Sequence, residues 1–149
     1  MGSFLLCSML ISFLQMRTRI EQYTRVTQAW NLGSLLLDFF QLYGSQFNLY
    51  HTGIRLQDGG SYFPKRFRDG DSVVPNRLNV LAIENPTVPD VDMGRNSFMI
   101  SKVRRAFEHA YQVLYTSLAE EDHKKEYFGF LSFVIRPDDP ILVKRLDVL

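Results

Sequence analysis

An unbroken apolar segment, FLLCSMLISFL at residues 4–14, limits the possible folds of this chain more than any other feature. A helix from about Ser3 to Met16 would be apolar nearly all round, which predicts a central core helix. The segment is well short of the roughly 20 residues that a membrane-spanning helix needs. No Lys or Arg precedes it and no small-residue cleavage site follows it, so a buried helix is favoured over the alternative, a signal segment. We also expect the usual packing partners of this helix to lie in sequence upstream.

Composition and charge favour one compact domain over residues 1–149. Hydrophobic residues make up 46% of the chain and aromatic residues 13%, which is too apolar for a disordered chain. The net charge of +1 produces no overall field that would attract nucleic acid or an anionic membrane, so any RNA contact must come from a local patch. The single cysteine, Cys7, excludes a disulfide framework, and a buried packing role is expected for it.

Two further helices are predicted. A polar connector over residues 17–30 leads to Asn31, whose side chain can cap a helix that ends at Gly44. The apolar residues of this helix recur at helical spacing, and they are Leu35, Leu36, Phe39, Phe40 and Tyr43. A long amphipathic helix is predicted over residues 97–118, with an apolar stripe formed by Ile100, Val103, Phe107, Ala110, Tyr111 and Leu114.

A small β element separates these two helices. The turn residues 58–60, Asp-Gly-Gly between β-prone runs, predict a hairpin because tight turns need positive φ angles. The segment NVLAIENP predicts a short strand that stops at Pro86, since proline donates no ladder hydrogen bond, and the next residues, TVPDVDMGRN, predict a loop. AEEDHKKE is expected to be a charged turn and GFLSFVIRP a short helix or strand. The predicted fold is mainly α with a small β hairpin, in the α+β class.

Signatures of catalysis are weak. The three histidines, His51, His109 and His123, lie in different predicted elements with no cysteine partners, so the spacing of a zinc site is missing. We expect His109 to be solvated or to contact a partner. No GxSxG elbow, GxxxxGK[ST] loop or GxGxxG loop is present, and a hairpin turn explains the Gly59-Gly60 pair better than an anion site does.

Two acidic pairs have the spacing that is used to hold magnesium in phosphoryl transfer. They are Asp69 with Asp71 and Asp90 with Asp92. Nucleotidyltransferases place such a pair on a strand shortly after a Gly-Ser turn, and neither pair has that context. Solvated loops are therefore the favoured interpretation, and we predict no catalytic residue and no metal ligand in this chain.

A basic cluster lies beside two aromatic residues. Lys65, Arg66 and Arg68 could contact an RNA backbone while Tyr62 or Phe63 stacks on a base. A solvated loop is the favoured alternative for these residues.

Several blocks, in the same order, resemble the central domain of TRAMP-type non-canonical poly(A) polymerases. GSFLLCSMLISFLQM is similar to their GSYSLxxxxxSFLQ helix, and NLGSLLLDFFQLYG to their NLGxLLxxFFxLYG helix. FNLYHTGIRLQDGGSYFPK resembles their FNYxxTGIxxxDGGSYxxK hairpin. LAIENPTVPDVDMGRNSFMISKVRRAFEHAYQVL is similar to the LxIEDPxxPxNDVGRSSxxxxxVKxAFxxAYxxL block that contains the nucleotide recognition loop. GFLSFVIR resembles the short closing segment, so the resemblance extends from Gly2 to about Arg136.

The resemblance implies a nucleotide site at the start of the first helix. It implies that Ser3 helps to hold the triphosphate of ATP and that the aromatic ring at position 4 stacks on the incoming base. Phe4 replaces the tyrosine of the family, which keeps the stacking face but loses the hydroxyl group.

The resemblance also implies that the loop after Pro86 reads the edge of the base. Asn85 occupies the position of the family's aspartate, and Val91 the position of an Asn or His that can hydrogen-bond the base. Valine can neither donate nor accept, so discrimination of adenine from other bases is the property most affected. The family pattern is kept at three positions, namely Asp92, Gly94 and Arg95.

The family's catalytic domain, with its Gly-Ser turn and three carboxylates, would precede Gly2. The resemblance therefore implies one incomplete PAP-associated (central) domain, truncated at its amino end. It would be the part of a polynucleotide adenylyltransferase that binds ATP and the RNA 3′ end, and the ligands for magnesium or manganese would lie outside this chain.

The resemblance further implies RNA-decay cofactor proteins as partners and residence in the nucleus, with the nucleolus included. The low net charge and the short apolar segment predict no membrane association. Two alternatives remain open. One is a catalytically inactive, partner-binding fragment, and the other is a pseudogene-like remnant of the family.

Overall fold

The structure, a computed structural model, describes residues 2–24, 31–65, 79–119 and 130–135. Within these ranges the chain is mainly helical with one two-stranded antiparallel hairpin, which confirms the predicted fold class. The elements in chain order are helix α1 (Ser3–Thr24), helix α2 (Leu32–Gln41), a π-helical turn (Leu42–Gln46), strand β1 (Thr52–Arg55), strand β2 (Ser61–Pro64), helix α3 (Ile100–Ala119) and a 3-10 turn (Phe130–Phe133).

Helix α1 is longer than the sequence predicts. Residues 17–24, predicted as connector, continue the helix, and residues 25–30 lie outside the described part. Arg17 provides a physical reason, because its guanidinium pairs with Asp38 of α2 and lies 3.9 Å from the Glu21 carboxylate one turn further along α1. Ion pairs of this kind stabilise a polar helical segment that has few apolar contacts.

Only one face of α1 is buried among the described residues. Leu5, Met9 and Phe13 belong to the core, together with two serines on the same face. The opposite face is exposed to the extent of 62% at Phe4, 41% at Leu6, 45% at Leu10 and 46% at Ile11. Cys7 is also exposed. The prediction of a central core helix holds for one face of α1, and the prediction of a buried Cys7 was wrong, because the described elements pack on a single side of this helix.

Helix α2 begins as predicted and ends differently. The Asn31 side chain accepts a hydrogen bond from the Gly33 amide at 2.8 Å, which confirms the predicted cap. Gly44 does not end the helix, because the chain passes into the π-helical turn that contains it. A Cβ atom at Gly44 would lie 2.6 Å from the Glu108 amide nitrogen of α3, so glycine permits α2 and α3 to approach closely. Arg104 of α3 donates to the Gly44 carbonyl at 2.9 Å and secures this contact.

An aromatic cluster joins the three helices. Phe39 of α2 lies at its centre, with ring centroids 5.7 Å from Phe13, 5.1 Å from Tyr43 and 5.5 Å from Phe107. All three contacts have the edge-to-face geometry that aromatic pairs prefer. The predicted apolar stripes of α2 and α3 therefore meet the buried face of α1 in a single core.

The hairpin packs on this core, and a short third segment, residues 82–84, runs beside its first strand. Thr52 pairs with Pro64 and Arg55 with Ser61, as the predicted turn requires. Residues 82–84 run beside β1, where the Ile54 amide donates to Ala82 and the Ile54 carbonyl accepts from Glu84. The predicted strand before Pro86 is thus reduced to isolated bridges, because the chain turns away immediately after residue 84.

The remaining predictions are settled only where the structure describes the chain. Helix α3 buries Ile100, Ala110 and Leu114, and His109 is exposed as predicted. Of the segment GFLSFVIRP, Phe130–Phe133 form a 3-10 turn, and Gly129, Arg136 and Pro137 lie outside the described residues. The predicted charged turn after Ala119 and His123 lie outside the described residues. No helix in the described ranges is long and apolar enough to cross a membrane.

Candidate functional site: a closed loop braced by a hairpin

Residues 85–95, here called the recognition loop, close upon themselves at a narrow neck. Glu84 and Asp92 form an antiparallel bridge, and the Asn85 amide donates to the Val91 carbonyl at 3.1 Å. Met93 donates to the Ile83 carbonyl at 2.9 Å, so the returning chain rejoins the core segment. The sequence predicted a loop here, and the structure adds that its two ends are hydrogen-bonded to each other.

Asn85 organises the first half of the recognition loop. Its Oδ1 atom accepts from the Thr87 amide at 2.9 Å and from the Thr87 hydroxyl at 2.7 Å, and the Val88 amide lies 3.3 Å away. Asparagine and aspartate both form turns of this kind. The replacement of the family's aspartate by Asn85 therefore preserves the turn, and in this structure the side chain shapes the loop.

Asp92 and Gly94 organise the second half. The Asp92 Oδ1 atom accepts from the Ile83 amide at 2.9 Å and from the Gly94 amide at 2.8 Å. A Cβ atom at Gly94 would lie 2.2 Å from the Leu81 carbonyl oxygen, so no other residue fits without displacing backbone. The buried Ser97 hydroxyl donates to Gly94 and accepts from the Leu81 amide, which completes the contact between the loop and the core.

A buried carboxylate supports the neck of the loop. The Glu84 side chain is 8% exposed and accepts a hydrogen bond from Arg55 Nε at 2.9 Å. The Arg55 guanidinium also lies 5.9 Å from the centre of the Phe63 ring, across the hairpin. A buried charge is tolerated when it is paired in this way, so the pair joins the hairpin to the base of the recognition loop.

Lys65, a predicted RNA contact, is directed toward the fold. Its Nζ atom donates to the Leu49 carbonyl and, at 2.5 Å, to the Val80 carbonyl. Burial lowers the pKa of Lys65 to about 8, and the Asp92 carboxylate opposes part of that change. These contacts favour a structural role for Lys65 at the end of β2, and its contact with RNA stays a prediction. Arg66 and Arg68 lie outside the described residues.

The hairpin turn connects helix α1 to the recognition loop. Gln15 Nε2 donates to the Leu56 carbonyl at 3.0 Å, and Arg19 donates to the Gly60 carbonyl at 2.9 Å. From the same turn, Gln57 Nε2 donates to the Pro86 carbonyl at 2.5 Å. The turn is compact because residues 58–60 have φ angles of 54°, 78° and 81°.

The structure therefore divides the predicted nucleotide-binding residues between two elements. Ser3 and Phe4 occupy the exposed first turn of α1, while Asn85, Val91, Asp92, Gly94 and Arg95 share the recognition loop. Val91 is 41% exposed and Arg95 is exposed, whereas Gly94 is buried. The Phe4 ring and the recognition loop are both accessible to a ligand, and the hairpin links the helix that contains Phe4 to the loop.

The residues that brace this arrangement were not predicted from the sequence. Gln15, Gln57 and Arg55 were not singled out, since each is a polar residue at an unremarkable position in its motif. The DGG turn itself indicated a tight hairpin, but which side chains cross to neighbouring elements depends on tertiary packing. Among the residues that the structure describes, no three His, Cys, Asp or Glu side chains form a group that could hold a metal ion.

The PAP-associated sequence model, described as Cid1 family poly(A) polymerase, matches residues 31–90. That range contains α2, the hairpin and the first half of the recognition loop. The fold and this match thus define the class of protein: the chain resembles the PAP-associated region of poly(A) polymerases.

Individual relatives agree with that class. Poly(A) RNA polymerase CID14 of Cryptococcus neoformans is 36% identical over 120 residues, which is 80% of this chain and 15% of the relative. Poly(A) RNA polymerase protein 1 of Saccharomyces cerevisiae is 35% identical over 76% of this chain and 18% of its own length. The inactive non-canonical poly(A) RNA polymerase protein Trf4-2 of Drosophila melanogaster is 31% identical over 97% of this chain and 35% of its own length.

A solved structure of the polymerase core of TRAMP, an RNA surveillance complex, superposes with a TM-score of 0.76 at 30% identity. The match includes 91% of this chain and 43% of that chain. The chain therefore belongs to the non-canonical poly(A) polymerase family, and it spans less than a fifth of the length of its fungal relatives named above.

Proposed function

We propose that this chain is the part of a non-canonical poly(A) polymerase that binds ATP and the RNA 3′ end. The observation that supports this proposal most is the recognition loop, which is closed at its neck and held to the core by Asp92 and Gly94. Its accessible residues include Val91, and the 62% exposed ring of Phe4 offers a flat face for a base. A stacking ring and a separate loop that contacts the base edge are the two parts that recognition of a single nucleotide requires.

The proposed division of roles follows the accessibility of each residue. Phe4 would stack on the base, Ser3 and Arg95 would contact phosphate oxygens, and the loop backbone near Val91 would face the base edge. Valine provides no hydrogen bond, so preference for adenine would rest on backbone groups and on the shape of the loop. Magnesium or manganese would be held by carboxylates of the complete polymerase, as the resemblance implies.

Stacking on Phe4 can be tested by measuring ATP binding to the 149-residue chain by isothermal titration calorimetry. Stacking on an aromatic side chain contributes about 1–3 kcal/mol per base, so Phe4→Ala should weaken ATP binding about 5- to 150-fold. Tyr23→Ala is the matched control, since Tyr23 is an 82% exposed aromatic on the same helix, about 28 Å away along its axis. Equal loss in both variants, or no change in either, would contradict the proposal.

A second function is favoured by one specific comparison. The Drosophila relative that matches 97% of this chain is described as inactive. This chain could in the same way be a catalytically inactive fragment that binds RNA-decay cofactor proteins. A chimera separates the two functions: residues 31–119 would replace the corresponding segment of the S. cerevisiae polymerase, and extension of an RNA primer with ATP would be measured. Extension supports the polymerase function, whereas ATP binding without extension, or no binding at all, supports the inactive fragment.

Nuclear residence, the nucleolus included, belongs to the same proposal. A family role in nuclear RNA polyadenylation and surveillance would require it. Imaging of the tagged chain in cells tests this directly, and a uniformly cytoplasmic signal would remove it from the proposal.

A further inference from the structure

The hairpin turn at residues 56–60 contacts both halves of the candidate site. On one side it receives hydrogen bonds from α1, the helix that begins with Ser3 and Phe4. On the other side it donates a hydrogen bond to the recognition loop. We propose that Gln57 is a positioning residue that fixes the recognition loop relative to α1, and this inference rests on the proposed function of that loop.

The side of the turn next to α1 is rigid. Gln15 and Arg19, one turn apart on α1, each hold a backbone carbonyl of the hairpin turn, at 3.0 Å and 2.9 Å. A Cβ atom at Gly60 would lie 2.6 Å from the Gln15 Oε1 atom, so the turn and the helix are in direct contact. The Gly60 amide also donates to the Gln57 carbonyl at 3.0 Å, which fixes the backbone from which the Gln57 side chain extends.

On the side of the turn next to the recognition loop, the Gln57 side chain bonds to the part of the loop that lies beyond its neck. The neck of the loop is closed by backbone hydrogen bonds, but residues 86–90 project beyond it. Within this projection the Asn85 carboxamide and the Val91 amide form internal bonds, whose amides report how firmly the loop is held. The bond from Gln57 to the Pro86 carbonyl ties this projection to the hairpin.

The position of the loop matters because the base would be held from two directions. A ring that stacks on the face of a base and a loop that contacts its edge must be held at a fixed separation for one base to be preferred. Helix α1 provides the ring and, through Gln15 and Arg19, also anchors the turn. Gln57 connects the anchored turn to the recognition loop. The loop has valine at position 91, so no polar side chain there can contact the base edge.

Two substitutions of Gln57 separate its hydrogen bond from its size. Gln57→Glu keeps the shape but removes the donor, whereas Gln57→Lys keeps a donor of similar reach. Amide hydrogen exchange is measured on the full chain by nuclear magnetic resonance at Thr87, Val88 and Val91. Exchange at these amides should be about two- to tenfold faster in Gln57→Glu than in the unmodified chain, which is the range expected for the loss of one exposed hydrogen bond. Gln57→Lys should stay within about twofold of the unmodified chain. Gln112→Glu, at an exposed position of α3, adds the same charge and should change nothing at these amides.

Nucleotide binding then tests whether the position of the loop affects the preference for ATP over GTP. The ratio of the GTP and ATP dissociation constants should move toward 1 by at least about twofold in Gln57→Glu, and Gln57→Lys should restore it. Unchanged exchange at residues 87–91 in Gln57→Glu, or an equal change in Gln112→Glu, would overturn the inference. If the chain binds no nucleotide, the proposed function fails, and the exchange measurement still decides whether Gln57 positions the loop.

Discussion

Replacement of Asp92 with alanine should destabilise the chain by about 3 kcal/mol. A single atom, Asp92 Oδ1, accepts hydrogen bonds from the Ile83 amide at 2.9 Å and from the Gly94 amide at 2.8 Å. A hydrogen bond to a charged group contributes about 1.5–3 kcal/mol, and two bonds at the low end of that range give the expected value. Ile83 is 0% exposed and Gly94 is buried, so water cannot easily replace the lost acceptor.

Asp92→Asn distinguishes the hydrogen bonds from the charge. An asparagine oxygen can accept from the same two amides, but neutral bonds contribute only about 0.5–1.5 kcal/mol each. We therefore expect Asp92→Asn to lose about half as much stability as Asp92→Ala. Asp90→Ala, at an exposed position of the same loop, should stay within about 0.5 kcal/mol of the unmodified chain.

Urea unfolding followed by far-ultraviolet circular dichroism measures all three variants. The free energy of unfolding should fall in the order unmodified chain, Asp92→Asn, Asp92→Ala. A loss below about 1 kcal/mol in Asp92→Ala would refute the reasoning, because each buried amide left unpaired costs at least that much. So would equal losses in Asp92→Ala and Asp92→Asn, since Oδ1 would then not be the atom that holds the loop.

Three further predictions concern the framework of the site. Gly44→Ala should lower the free energy of unfolding by about 1–3 kcal/mol, because its Cβ would lie 2.6 Å from the Glu108 amide nitrogen. An unchanged midpoint of urea unfolding would show that the helices can separate freely. Tyr43→Phe should cost about 0.5–1.5 kcal/mol through loss of its 2.9 Å bond to the Met9 carbonyl, and a neutral result in the same assay would contradict that bond. Burial lowers the pKa of Lys65 from 10.5 to about 8. Between pH 8 and 10.5 the unfolded chain therefore binds a proton that the folded chain does not, so the free energy of unfolding should rise with pH across that range. Lys65→Gln should reduce this rise in urea midpoints measured from pH 8 to 10.5, and an identical slope in both chains would exclude the effect.

Much of the fold was predictable because the local signals were strong. Asn31 caps α2 as its residue type and position indicated, and the apolar spacing of α3 placed that helix within a few residues of its observed bounds. The DGG turn predicted a hairpin because its three successive positive φ angles strongly favour glycine. The family resemblance, confirmed by the comparisons, rested on these same motif blocks.

The errors arose where an element's environment decided its length or burial. The apolar composition of α1 predicted a central core helix with a buried Cys7, yet Cys7, Phe4 and Leu10 are exposed because the described elements cover one face. Gly44 was predicted to end a helix, but its lack of a side chain serves the approach of α3. A glycine near the end of an apolar helix fits both roles, and the sequence contains no signal that separates them.

In the recognition loop, too, some features follow from the sequence and others depend on the tertiary structure. The sequence by itself determined the residue types that are available, including a stacking ring at Phe4 and a valine at position 91 in place of a polar side chain. Tertiary structure alone decided that Asp92 would hold the Ile83 amide of the core, that Lys65 would be directed inward, and that Gln57 would reach the Pro86 carbonyl. Local patterns depend on neighbours within a few residues, whereas these hydrogen bonds join segments 9 to 29 residues apart and form only when the whole core has assembled.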